Sequence, residues 1–95
     1  MIHAEETRRD ALGHPVTTVW FDPPRPLQSD VESTTVVEGQ AREVGTLAAG
    51  TLVRRLETNN LGAFGWLEVS TDGGKTWWSN ERATSATDVR TALGL

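Results

Sequence analysis

The chain has no cysteine. That absence excludes a disulfide, a thiolate zinc site and a cysteine nucleophile, so the fold stands on packing alone. Long apolar runs are missing too. The longest stretches, Val16 to Phe21 and Thr46 to Val53, are interrupted by polar residues and fall far short of the roughly 20 residues a membrane span needs. There is no excess of basic charge. Nine Lys and Arg stand against thirteen Asp and Glu, for a net charge of −4, and the arginines are scattered among acids where nucleic-acid binding calls for a basic stripe. The Gly-x-Ser-x-Gly, His-Glu-x-x-His, phosphate-loop and EF-hand patterns are all lacking, which removes the usual nucleophile, zinc, nucleotide and calcium signatures. No cofactor and no metal site are expected.

What remains is a composition of ordinary globular type, with 37% hydrophobic and 23% charged residues in 95, the size of one domain. Residues 4 to 12 carry acids in a first turn and end on Gly13, which predicts a short helix with a thin apolar face. Val16 to Phe21 is rich in β-branched and aromatic residues and predicts a strand. Three prolines among Pro23, Pro24 and Pro26 then predict an extended connector, because proline lacks the N–H a sheet ladder uses. A polar loop is expected over 27–33. Further strands are expected over 34–38, 43–47, 51–58, 64–70 and 75–79, divided by glycine-rich turns. Ser85 stands at an N-cap position before a terminal helix that Gly94 ends. The expected fold class is mainly β, a small barrel of five to six short strands with short terminal helices. In that reading residues 1–33 form a helix, strand and proline-rich arm, 34–84 the barrel and 85–95 the last helix, all within one domain.

Two resemblances overlap in the second half. Val44-Gly45-Thr46-Leu47, followed by Ala48-Ala49-Gly50-Thr51-Leu52-Val53 and by Gly65-Trp66-Leu67-Glu68-Val69, resembles the strands and Gly-ended turn of bacterial SH3 domains (the SH3b type), over residues 44–82. That resemblance implies an SH3-like barrel and, through it, a domain that binds cell-wall peptides or glycans. The family's Arg-Ser-Gly-Pro-like stretch is replaced by Glu38 to Arg42 and its closing Gly-Trp-Val by Trp77-Trp78-Ser79, so ligand contacts of other members are not carried over. Ser70-Thr71-Asp72-Gly73-Gly74-Lys75-Thr76-Trp77 is similar to the Asp-box of sialidase propellers. A single box in a chain too short for a propeller points to a structural hairpin, with Ser70, Asp72, Gly74, Thr76 and Trp77 as turn residues rather than catalytic or calcium-binding groups.

Few residues suit acid–base chemistry. His3 and His14 lie in the N-terminal segment, where a surface role is the simpler reading. Glu57, Glu68 and Glu81 can converge on one barrel face, yet exposed strand acids usually solvate. The chain is therefore expected not to be an enzyme, with a small hydrolase ranked third among functions. The four tryptophans say more. Trp77 and Trp78 are adjacent on one strand and must point to opposite faces. The expectation puts Trp77 in the hairpin core and Trp78 at a rim, where Trp78, Trp66, Trp20 and Phe21, with Pro23 and Pro26 of the arm, form a binding surface. The Pro23-Pro24-Arg25-Pro26 spacing itself reads as a stiff linker. The leading expectation is a non-catalytic protein-binding or assembly module, such as a structural component of a phage particle, whose partner is another protein or a second copy. Wall peptides or glycans are the alternative; nucleic acid and membrane are not expected. The start Met1 to Glu6 lacks a basic segment and an apolar stretch, so the cytoplasm or a virion is expected over general secretion.

Overall fold

The computed structural model describes residues 2–37, 40–59, 65–80, 82–83 and 85–95. Among the described residues eight strands and one helix follow in chain order: β1 (Ile2–Arg9), β2 (Pro15–Pro26), β3 (Val31–Val37), β4 (Gln40–Leu47), β5 (Leu52–Asn59), β6 (Gly65–Ser70), β7 (Trp78–Asn80), β8 (Arg82–Ala83) and α1 (Ala86–Ala92). They make two antiparallel sheets, one of order β1-β2-β5-β6-β7 and one of order β4-β3-β8. The chain is mainly β, as its composition implies. The larger sheet stays open, with β1 and β7 at its edges.

One face of that sheet is the core face. Val19 of β2, Leu56 of β5 and Leu67 of β6 stand opposite one another in register and are buried together with Phe21, Val53 and Val69. Val31 of β3, Leu47 of β4, Leu27 and the α1 residues Val89, Ala92 and Leu93 close over them. α1 presents Ala86, Val89 and Ala92 inward, the three-residue spacing of one helix face. Ser85 caps it, its Oγ accepting from the amides of Thr87 and Asp88 at 3.1 and 3.3 Å.

The first segment departs from expectation. Residues 2–9 form a strand instead of the start of a helix. A helix there would bury almost nothing, whereas the strand pairs with β2 from Ala4↔Trp20 to Arg9↔Pro15 and gains ladder hydrogen bonds. Asp10 builds the turn: its Oδ1 accepts from the amides of Leu12 and His14, both at 2.9 Å. Gly13 supplies the required φ of 83°. Those bonds, led by the one from His14, hold the Asp10 carboxyl below its ordinary value.

The proline stretch is likewise part of β2 rather than a free connector. Arg25 and Pro26 pair with Val53 and Leu52 of β5, and the amide of Leu27 donates to Thr51 O at 2.9 Å. Among the described residues β1 covers β2 only as far as Phe21 and the pairing with β5 is interrupted between Trp20 and Arg25, so Pro23 and Pro24 lie in a bulge and Pro26 on a strand edge, where a missing N–H is tolerated. The loop expected over 27–33 is shorter, because β3 begins at Val31. Val31 and Ser33 are buried and Glu32 between them is exposed, the alternation of a half-buried strand that the polar composition obscured.

Candidate binding face

Alternation places a second set of side chains on the outer face of the five-stranded sheet. One row runs Ala4, Trp20, Arg55, Glu68, Ser79 and a neighbouring row Glu6, Thr18, Glu57, Trp66. Trp66 is 44% exposed, the most open of the tryptophans. Trp20 is half-buried, diagonal to Trp66 across β5.

A bulge brings in further members. Val53 pairs with Val69 and Arg55 with Glu68, so Arg54 has no residue opposite it. An unpaired extra residue bends the strand and re-aims its side chain. Arg54 lies over the indole of Trp77, 4.4 Å from the ring centroid, and its Nη2 bonds Glu68 Oε1. Trp77 is half-buried. Along the neighbouring row Glu57 gathers Arg8 at 3.0 Å, Arg55 at 3.6 Å and the Thr18 hydroxyl at 3.5 Å. The face therefore carries three tryptophans among arginines whose positions two glutamates hold. Glu57 and Glu68 are engaged by guanidinium groups, an arrangement suited to stacking and charge pairing.

The Asp72 turn borders this face. Asp72 Oδ1 accepts from Ser70 Oγ at 2.7 Å and from the amides of Lys75 and Thr76 at 3.0 and 2.9 Å, while Thr76 Oγ1 donates to Oδ2 at 2.5 Å. The Gly74 amide donates to Ser70 Oγ at 2.8 Å, and Gly73 and Gly74 take φ of 77° and 95°. Hydrogen bonds from the Thr76 hydroxyl and amide, then from Ser70, lower the Asp72 carboxyl to about 2. Gly74 lies beside Trp77, where an added Cβ would stand 3.8 Å from its Cζ2.

Comparison with known proteins brings out no family model, no curated protein and no solved structure that matches this chain.

Of the aromatic residues singled out in the sequence, Trp20 and Trp66 share the outer face. Phe21 points the other way and is 4% exposed, with Arg25 5.8 Å over its ring. Pro23 and Pro26 are exposed along β2. Trp77 and Trp78 are both half-buried and point to opposite sides, Trp77 staying beside Gly74 of the hairpin. Trp78 pairs with Val69 and so takes the core side, where it packs against the buried cluster; Trp77 takes the outer side. A surface joining Trp78 to Trp20 does not form, because the two lie on opposite faces of the sheet. Glu57 and Glu68 share the outer face, each held by arginine, and Glu81 lies outside the described residues.

Sequence reasoning missed Arg8, Arg54 and Arg55. The signal for Arg54 was present: Val53 and Leu56 are both inward residues separated by two, which breaks the period of 2 and marks a bulge. Nothing local flagged Arg8, which meets Glu57 only because β1 lies beside β2. Elsewhere, a groove of about 260 Å³ between β3 and α1 is lined by Ser29, Asp30, Val31, Glu32, Asp88 and Thr91. There Asp30 accepts the Ala49 amide at 2.9 Å. Among the described residues no group of three His, Asp or Glu is placed to hold a metal ion, and no helix is long and apolar enough to cross a membrane.

Proposed function

We propose that this chain is a non-catalytic binding or assembly module that holds a protein partner on the outer face of its five-stranded sheet. The observation that carries the reading is the exposed Trp66 on the same face as half-buried Trp20 and Trp77, a face ordered by Arg54–Glu68 and by Glu57 with Arg8 and Arg55. Tryptophan and arginine are the residues most enriched where binding energy concentrates. Side chains already held in place lose less freedom when a partner arrives. The SH3-type barrel suggested by residues 44–82 belongs to this proposal as its finer architecture, and a structural role in a particle as its setting.

A second reading has one observation in its favour. An exposed indole on a sheet face, near paired Glu and Arg side chains, also suits stacking on a sugar ring, which matches the wall-glycan binding that the SH3-type resemblance implies.

One experiment separates them. The immobilised chain and its Trp66→Ala variant are exposed to extract from the source cells and to soluble wall fragments. A protein retained by the wild type and lost from the folded variant supports the first reading. Trp66-dependent retention of wall fragments alone replaces it with the second. Equal retention by both chains removes the outer face from consideration.

A further inference from the structure

β1 is the outermost strand of its sheet, paired with β2 on one side and, among the described residues, with nothing on the other. All eight of its side chains are exposed. The phase of its hydrogen bonding follows from the turn, where the Asp10 amide donates to His14 O at 2.9 Å. In an antiparallel ladder bonded and non-bonded pairs alternate. Arg8↔Val16, Glu6↔Thr18 and Ala4↔Trp20 are therefore the bonded pairs, and the N–H and C=O groups of Glu5, Thr7 and Arg9 point away from β2. Such a row of open groups is a template for another strand.

The charges on the strand choose that partner. Glu5-Glu6-Thr7-Arg8-Arg9 carries opposite signs in mirror order about Thr7. Laid antiparallel on a copy of itself with Thr7 opposite Thr7, the strand sets Glu5 against Arg9 and Glu6 against Arg8, twice each. The same alignment sets the outward groups of residues 5, 7 and 9 against one another, so ladder and charges agree. A slip of two residues sets Glu6 against Glu6 or Arg8 against Arg8, and like charges directly opposite are unfavourable. Glu5 and Glu6 have no ion-pair partner among the described residues. Arg8 and Arg9, held by Glu57 Oε1 and by Gly13 O, keep further N–H donors for a partner.

We propose that β1 pairs antiparallel with β1 of a second copy, in the Thr7-to-Thr7 register, to make a twofold dimer with one sheet running through both subunits. The axis stands perpendicular to the sheet at Thr7, so both outer faces lie on the same side and the Trp66 surface is doubled. This inference stands apart from what that surface binds. One strand pair is a small interface, and the dimer is accordingly weak and dependent on concentration and salt.

Sedimentation of the full chain across a concentration series at low and high salt tests it. The wild type should pass from the 10.4 kDa monomer to twice that mass as concentration rises, and salt should reverse the shift. Thr7→Pro removes an N–H that β2 does not use and should leave a monomer with an unchanged circular-dichroism spectrum. If that variant fails to fold, Glu6→Arg gives the reading instead: it puts two Arg–Arg pairs at the interface and should weaken the dimer about tenfold or more. A wild type that stays monomeric throughout, or a dimer that survives Glu6→Arg undiminished, overturns the proposal.

Discussion

Arg54 lies over Trp77, its guanidinium carbon 4.4 Å from the ring centroid, and the same guanidinium reaches the carboxylate of Glu68. β5, β6 and the Asp72 turn are thereby tied together on the outer face by a residue the strand ladder leaves unpaired. Removing it tests both the bulge and the ordering of the face.

Arg54→Ala should lower stability by about 0.5–1 kcal/mol, the usual size of a cation–π contact at an accessible site. It should also raise the acrylamide quenching of tryptophan fluorescence, as Trp77 loses its cover. Arg54→Lys should restore the charge without the planar stack and recover only part of the protection. Quenching identical to wild type in both variants would show that Trp77 is ordered by something else.

The Asp72 turn makes a prediction about acid. Its carboxyl is lowered from 3.8 to about 2 in the folded chain, so the folded state favours the ionised form. The stability it contributes is complete above the unfolded value and lost as pH falls through about 2. Asp72→Asn should lower Tm at neutral pH and flatten its decline between pH 4 and about 2. Calorimetric scans of both chains across that range check it; parallel declines would mean that the carboxylate bonds do not couple to folding.

Core register is tested on β6. Leu67 is 2% exposed and Val69 fully buried, while Glu68 between them faces outward. Leu67→Ala should destabilise by about 2–4 kcal/mol in chemical denaturation, and Glu68→Ala by less than about 1 kcal/mol. Comparable losses from both would place the strand in the wrong register.

Much of the fold is legible in the sequence where a local rule is strong. The alternation Leu67-Glu68-Val69, the β-branched run before Phe21, the Ser85 cap and the Asp72 turn each follow from side chains interacting within a few residues of themselves. Ser70, Asp72 and Thr76 carry their own hydrogen-bond partners in the sequence, so the turn needs no distant contact. The outcome at residues 2–9 was not legible, because their exposed charges serve a helix and an edge strand almost equally, and only the open flank of β2 decided between them. The same holds for the prolines, whose place in β2 depends on β1 stopping at Phe21. Which of Trp77 and Trp78 faces inward was fixed by register with Val69, a relation between strands. What the sequence by itself determined, then, is the strand-rich character of the chain and its local turns, since these depend on backbone preferences and short-range bonds. What only the tertiary structure decided is the outer face itself: Arg8 of β1 reaches Glu57 of β5 across β2, and Trp20 of β2 and Trp66 of β6 come to one face through β5, because pairing between strands depends on how each buries its other side.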